Sequence, residues 1–325
     1  MPFTLDLGIS INITKHPMRD KIGPKKRPAS EEKKSHHRQT KSDHVEQVGN
    51  QPGEEEAVHE ASHLPAKLVY QVVRREGEEE LRRPWTDLFW SGIVAGFCIS
   101  FSVIGEALFK TYLPASKWLP LLESLGYTFG YVIVITGRMQ LFTENTLTTV
   151  LPLLARPGFD NFLRVARLWG IVLGANVIGC FIAAAFIAFT PTFGPDILAS
   201  ITELSKHATE NGAWISFAKA VPAGLLIAAL VWMLAAGEDD NLFVIILMTW
   251  LIAAGGFAHI SAGSVEMAFL MLTGQLGLIA GISDFFIPVL LGNVFGGTVV
   301  FTLITWGQVR EEVEDSSGPH KVPAR

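Results

Sequence analysis

Cysteine is almost missing from the sequence: 325 residues contain two, Cys98 and Cys180, both inside apolar runs. A disulfide framework or a thiolate metal site is therefore excluded. Charge is also scarce, but only over part of the chain. Of 26 Lys+Arg and 31 Asp+Glu, 15 and 14 lie before Pro84, and the residues after it are only about 12% charged. Soluble domains run at about 25%, which excludes a water-soluble body. The net charge of −5 gives no reason to expect nucleic acid as a partner. No Ser/His/Asp, metal-ligand or phosphate-loop pattern occurs, so no enzyme, metal or cofactor is expected.

Apolar residues make up 49% of the chain. Residues 1–60 are polar, with basic clusters such as Lys25-Lys26-Arg27, and cannot bury enough surface to offset ordering entropy. They are expected to form a disordered cytoplasmic tail and do not have the pattern of a secretory signal peptide. Over 61–84, Leu64, Leu68, Val72 and Val73 recur at helical spacing between charges. That predicts an amphipathic helix on the membrane surface or on a partner subunit.

Six apolar stretches follow: Leu88–Leu113, Leu119–Leu154, Leu168–Phe189, Phe217–Ala236, Leu242–Leu272 and Phe285–Trp306. Each approaches or exceeds the roughly 20 residues a spanning helix needs. The expectation is an all-α membrane protein with six transmembrane helices over 85–309 and a cytoplasmic tail over 310–325. Arg74, Arg75, Arg82 and Arg83 before the first crossing share a side with Arg156, Arg164 and Arg167 after the second. The positive-inside rule puts both termini in the cytoplasm; the expected location is the plasma (inner) membrane.

The second and fifth stretches are interrupted. Gly137-Arg138-Met139-Gln140-Leu141-Phe142-Thr143-Glu144-Asn145 places ionic and amide groups in one, and Gly255-Gly256-Phe257-Ala258-His259-Ile260-Ser261 places glycines and a lone His in the other. Irregular backbone at such depth must face protein or a watery cavity. The spacing also repeats. Asn176-Val177-Ile178-Gly179 matches Asn293-Val294-Phe295-Gly296 at a separation of 117, and Thr143 and His259 are 116 apart. Three crossings per half is an odd number, so the second half must enter the membrane inverted. An inverted 3+3 repeat with broken second and fifth helices is a transporter or channel architecture. Asn176 and Asn293 are expected to hydrogen-bond the irregular segments, with Glu144 and Asn145 as further loop supports. Arg138, Glu144 and Glu266 are expected to pair with one another or to make interface contacts, and Glu106 to be solvated at the outer mouth.

Leu141-Phe142-Thr143 at the first break, Gly256-Phe257-Ala258-His259 at the second and the paired Asn-Val-x-Gly segments resemble the formate/nitrite transporter family, in particular its YfdC-like branch. The resemblance spans roughly Trp85 to Val309. It implies an aquaporin-like protomer in a homopentamer with one pore per subunit, conducting a small monovalent anion or its conjugate acid. It also implies that Thr143 and His259 carry the site, with Ile252 at an apolar gate and Phe142, Phe257 and Ser261 along the pore. Gln140 stands where the family commonly has an acid. Lys219 lies near, but off, the family's lysine, and Gly224 lies near the place of its Asn. An aquaporin-type channel would normally show Asn-Pro-Ala at both breaks, and neither break has it. A non-conducting scaffold would not need irregular backbone at the midplane.

A bare anion in a dry constriction is costly, on the order of 20 kcal/mol by idealised estimates. Imidazole titrates ordinarily at about 6.5 and can donate a hydrogen bond or a proton to a weak-acid anion. His259 and Thr143 are therefore expected to face each other and hold the substrate between them.

Overall fold

The structure, a computed structural model, describes residues 65–237 and 241–317, with side chains as far as Arg310. The tail expected over 1–60 and the Glu238-Asp239-Asp240 loop lie outside the described residues. All regular structure within them is helical. In chain order the elements are α1 (Ala66–Glu80), α2 (Trp85–Tyr112), α3 (Leu119–Thr136), α4 (Phe142–Thr148), α5 (Val150–Ala155) and α6 (Phe159–Phe189). They continue as α7 (Pro195–Thr209), α8 (Gly212–Ala235), α9 (Asn241–Ala254), α10 (Ile260–Leu272) and α11 (Leu278–Arg310).

Five helices, α2, α3, α6, α8 and α11, are long and apolar enough to cross a membrane. The sixth expected stretch is divided between α9 and α10, 14 and 13 residues long. At 1.5 Å per residue each reaches only about 20 Å, short of a hydrocarbon core of about 30 Å. α6 begins nine residues and α11 seven residues before the apolar stretches predicted for them. In α6 the added turns carry Asp160 and Arg164, which a hydropathy reading excludes from an apolar stretch.

Small residues bring backbones into contact. A Cβ on Gly96 would lie 2.1 Å from the Asn176 carbonyl oxygen, and one on Gly179 would lie 2.2 Å from that of Ile93. These contacts lock α2 to α6. The same device locks α8 to α11: Gly224 meets the Asn293 oxygen at 2.1 Å and Gly296 meets the Val221 oxygen at 2.0 Å. Within lipid, such close approach supplies the packing that hydrophobic exclusion cannot.

α1 lies on this body, not on lipid alone. Its buried residues are Val69, Tyr70, Val73 and Gly77, and the first three join Leu147, Leu151, Ala228 and Val309 in one apolar cluster. Leu68 and Val72, predicted to lie on the buried face, are each 38% exposed. The apolar stripe is therefore rotated by about one residue relative to the sequence pattern. Gly77 sets the docking distance, since its Cβ would fall 1.8 Å from the Thr148 carbonyl oxygen. Gly77→Ala is expected to lift α1 at a cost of about 1–3 kcal/mol, and limited proteolysis should then cut near Tyr70 faster than in the wild type.

α7 was not anticipated. Ile201, Ser205 and Thr209 form its buried edge at intervals of four, a helical signal obscured by their mixed polarity. It packs on α2 and α10.

Candidate functional site

The chain leaves α3 and α9 by the same turn. After Gly137 it passes through Arg138 at φ 49°, and after Gly255 through Gly256 at φ 61°. The left-handed region suits glycine and is strained for Arg138. The N–H groups of Gly137, Arg138 and Met139 bond the carbonyls of Ile133, Ile135 and Val134. Those of Gly255, Gly256 and Phe257 bond Leu251, Ala253 and Ile252, every partner shifted by 118 residues. An extended segment then leads into α4 or α10.

One asparagine braces each segment. Asn176 Oδ1 accepts from the Phe142 N–H at 2.9 Å, while its Nδ2 donates to the Gly92 and Gln140 carbonyls at 2.8 and 2.9 Å. Asn293 Oδ1 accepts from the Ile260 N–H at 2.8 Å, and its Nδ2 donates to the Ala220 and Ala258 carbonyls at 2.8 and 3.0 Å. Both side chains are buried. Each amide thus satisfies two backbone groups that the interruption would otherwise leave unpaired, and its third bond ties the segment to a carbonyl of α2 or α8.

The two segments meet at Thr143 and His259. His259 Nε2 lies 2.9 Å from Thr143 Oγ1, although the residues are 116 apart in sequence. His259 Nδ1 accepts from the Ser261 N–H at 3.3 Å, so a neutral ring carries its proton on Nε2 and donates it to the Thr143 hydroxyl. Thr143 is fully buried and His259 only 2% exposed. Ser261 Oγ is buried without a hydrogen-bond partner among the described residues. The 118-residue correspondence pairs Thr143 with Ser261 and Leu141 with His259, two residues away from the pairing suggested by sequence. The interruptions are matched by backbone, not by their polar side chains.

Tyr131 completes the site and was not foreseen. Its ring meets that of His259 edge-on at 5.2 Å, and its hydroxyl lies 3.0 Å from that of Tyr127. The i, i+4 tyrosine pair in an apolar helix was the available signal. Ile252 is fully buried in the same apolar cluster as Tyr131 and Leu141, with Phe257 packed against that cluster. Phe142 falls elsewhere. Its ring packs edge-on against Trp169 at 5.6 Å, in a second cluster with Ile260 and Phe285. Alternation in the extended segment gives Leu141, not Phe142, to the wall shared with Ile252.

The supporting polar residues also divide. Asn145 Nδ2 donates to the Leu141 carbonyl at 3.3 Å and to Gln140 Oε1 at 3.4 Å, and Trp169 Nε1 donates to the Asn145 carbonyl at 3.3 Å. Glu144 does not brace the segment: its Oε1 is buried without a partner among the described residues. One step along α4 turns it away from the break and toward a cavity of about 530 Å³ beneath α1. Glu76, Glu79 and Glu80 line the same cavity, with Arg138 as its guanidinium. Gln140 Nε2 donates to Glu80 Oε2 at 2.9 Å, tying the segment to α1. No ion pair joins Arg138, Glu144 and Glu266 among the described residues. Glu106 has Glu266, Glu123 and Lys110 as electrostatic neighbours and is half-buried in α2, not solvated. Lys219 Nζ donates to Asn211 Oδ1 at 3.0 Å, and its carbonyl accepts from the Ala258 N–H at 3.1 Å.

On α1, partial desolvation by the cavity walls holds the Glu76 carboxyl above its ordinary 4.5, with Glu79 and Glu80 adding to the rise and Arg138 opposing it. Docked α1 therefore binds this proton more tightly than undocked α1, so docking strengthens as pH falls through the raised value. Protease protection of α1 is expected to be greater at mildly acidic than at alkaline pH, and Glu76→Gln should shrink that difference.

The profile of the formate/nitrite transporter family matches residues 67–307. The chain belongs to this family. The inner membrane protein YfdC of Escherichia coli (strain K12) is 40% identical over 260 residues, covering 80% of this chain and 83% of YfdC. The formate channel FocA of Haemophilus influenzae is 26% identical over 249 residues, covering 67% of this chain and 84% of that protein. A solved pentameric formate channel with formate bound shares the fold at a TM-score of 0.61 and 23% identity, covering 70% of this chain and 98% of that one. The site geometry thus sits on a scaffold of the formate/nitrite transporter family, with five membrane-length helices among the described residues.

Proposed function

We propose that this chain conducts a small monovalent anion such as formate or nitrite, or its conjugate acid, through a throat between His259 and Thr143. The observation that carries the reading is the 2.9 Å bond between these two buried side chains, each set beside its own helix interruption. A permeant takes the place of that bond, accepting from His259 Nε2–H while Thr143 and the unpartnered Ser261 hydroxyl supply further contacts. The positive end of α10 adds favourable potential. Ile252, Phe257 and Leu141 keep the throat dry.

The topology in this reading has six crossings in an aquaporin-like, inverted 3+3 arrangement. α3 with α4 and α5 forms the second crossing, and α9 with α10 the fifth. The 118-residue shift of the turns and the 117 residues between Asn176 and Asn293 support it. The transport domain covers 85–309, α1 lies on its cytoplasmic face, and residues 1–60 and 310–325 are cytoplasmic. The protein assembles as a homopentamer in the inner membrane, as the bound-formate structure of a related fold is pentameric.

Proton transfer follows from the same geometry. An anion beside His259 stabilises imidazolium, which forms when Nδ1 gives up the Ser261 N–H and takes a proton from water at the pore mouth. The Nε2 proton then passes to the anion, the ring returns to neutral, and a neutral acid crosses the apolar wall more readily. The acid-rich cavity favours this route. A carboxylate about 10 Å from an anion in water raises its energy by about 0.4 kcal/mol before screening, so several together disfavour the bare anion and tolerate the neutral acid. Flux of formate, nitrite, hydrosulfide and water into proteoliposomes, measured at two pH values, tests the reading. Weak-acid flux exceeding water flux and rising at the lower pH is expected; water flux without anion flux would sink it.

A further inference from the structure

A second cavity, of about 80 Å³, lies where the end of α1, the end of α5 and the start of α6 converge. Arg82, Arg156 and Arg164 line it, one from each of those regions. Glu78 is the one acid on its wall, and it is engaged by Arg74, whose Nη2 and Nε both lie 3.2 Å from Glu78 Oε1. Asn161 Nδ2 donates to the Arg156 carbonyl at 2.8 Å, which fixes the loop that carries Arg156. The side chains of Arg82, Arg156 and Arg164 have no ion pair or hydrogen bond among the described residues. Arg82, Arg156 and Arg164 are exposed residues bordering this one small cavity, and a multiply accepting anion held there offsets the repulsion among three like charges. Guanidinium forks match phosphate oxygens in geometry.

The surroundings indicate which phosphate. Trp85, at the start of α2, is 58% exposed, and Phe159 and Phe162, at the start of α6, are 73% and 53% exposed. Exposed aromatics at the ends of spanning helices mark the headgroup level of a bilayer. Leu81 and Val165 give the cavity an apolar wall, and Leu163 beside it is 48% exposed. We propose that this cavity binds the headgroup phosphate of an anionic phospholipid through Arg82, Arg156 and Arg164, with the acyl chains running outside along α6. A phosphate ester and free phosphate share the chemistry; the apolar wall and the aromatic border favour the lipid. The role is separate from conduction, since none of these residues touches the throat.

Full-length protein, delipidated in detergent, is titrated with phosphatidylglycerol, phosphatidylcholine and inorganic phosphate, and read by native mass spectrometry and by thermal denaturation. The wild type is expected to bind phosphatidylglycerol at least about tenfold more tightly than phosphatidylcholine, as charge-assisted hydrogen bonds imply. Arg82→Gln/Arg156→Gln/Arg164→Gln should abolish that preference. A control that removes equal charge outside the cavity, Arg75→Gln/Lys117→Gln/Lys206→Gln, should keep it. If the triple variant fails to fold, Arg164→Gln alone should weaken phosphatidylglycerol binding severalfold. Equal binding of the two lipids by the wild type overturns the proposal, as does a preference retained by the cavity variant or lost equally in the control. Stabilisation by inorganic phosphate as large as that by phosphatidylglycerol overturns the lipid assignment.

Discussion

Formate flux into proteoliposomes carrying His259→Phe is expected to fall by a factor of about 100 or more, with particle size in detergent unchanged. Removing a donor from a water-excluded site leaves a charged or strongly polar permeant unpaired, at about 3–5 kcal/mol, and each 1.4 kcal/mol is tenfold. Phenylalanine retains a ring of similar size, so the edge contact with Tyr131 at 5.2 Å can persist, while the Ser261 N–H loses its Nδ1 acceptor and stability should fall by about 1–3 kcal/mol. Nitrite should behave as formate does. Unchanged flux of both anions would remove His259 from the transport path.

Asn176→Ala and Asn293→Ala should each destabilise the protein severely, and by similar amounts. The first leaves the Phe142 N–H and the Gln140 carbonyl unpaired and the second the Ile260 N–H and the Ala258 carbonyl, while the Gly92 and Ala220 carbonyls, inside α2 and α8, lose only an additional donor. At about 1–3 kcal/mol for each unpaired buried group, either loss approaches the whole stability of an ordinary domain. Thermal denaturation of the purified variants checks this. A large drop for one and none for the other would show that only one interruption needs its asparagine.

The sequence announced what breaks its own pattern. Glycines, an arginine and a histidine inside apolar runs are costly in lipid, so the two interruptions stood out, and the repeated Asn-Val-x-Gly exposed their relation. What stayed hidden is what hydropathy cannot distinguish. Tyr131 is one apolar-looking residue among many until its ring meets His259. Leu141 and Phe142 are adjacent and equally apolar, and only the extended backbone decides which joins the wall with Ile252. The acidic stripe of α1 reads as solvated until Gly77 lets the helix dock and brings Glu80 to Gln140. α7 was invisible because serine and threonine occupy two of the three positions of its buried edge.

The coupling between His259 and Thr143 is measured most directly by formate flux in the wild type, His259→Asn, Thr143→Val and the double variant. Two side chains that hold one permeant should show a coupling of about 1 kcal/mol or more, so the double variant should lose several-fold less flux than the product of the single losses. Losses that simply multiply would mean that the imidazole and the hydroxyl act at separate places, and the shared throat would be wrong.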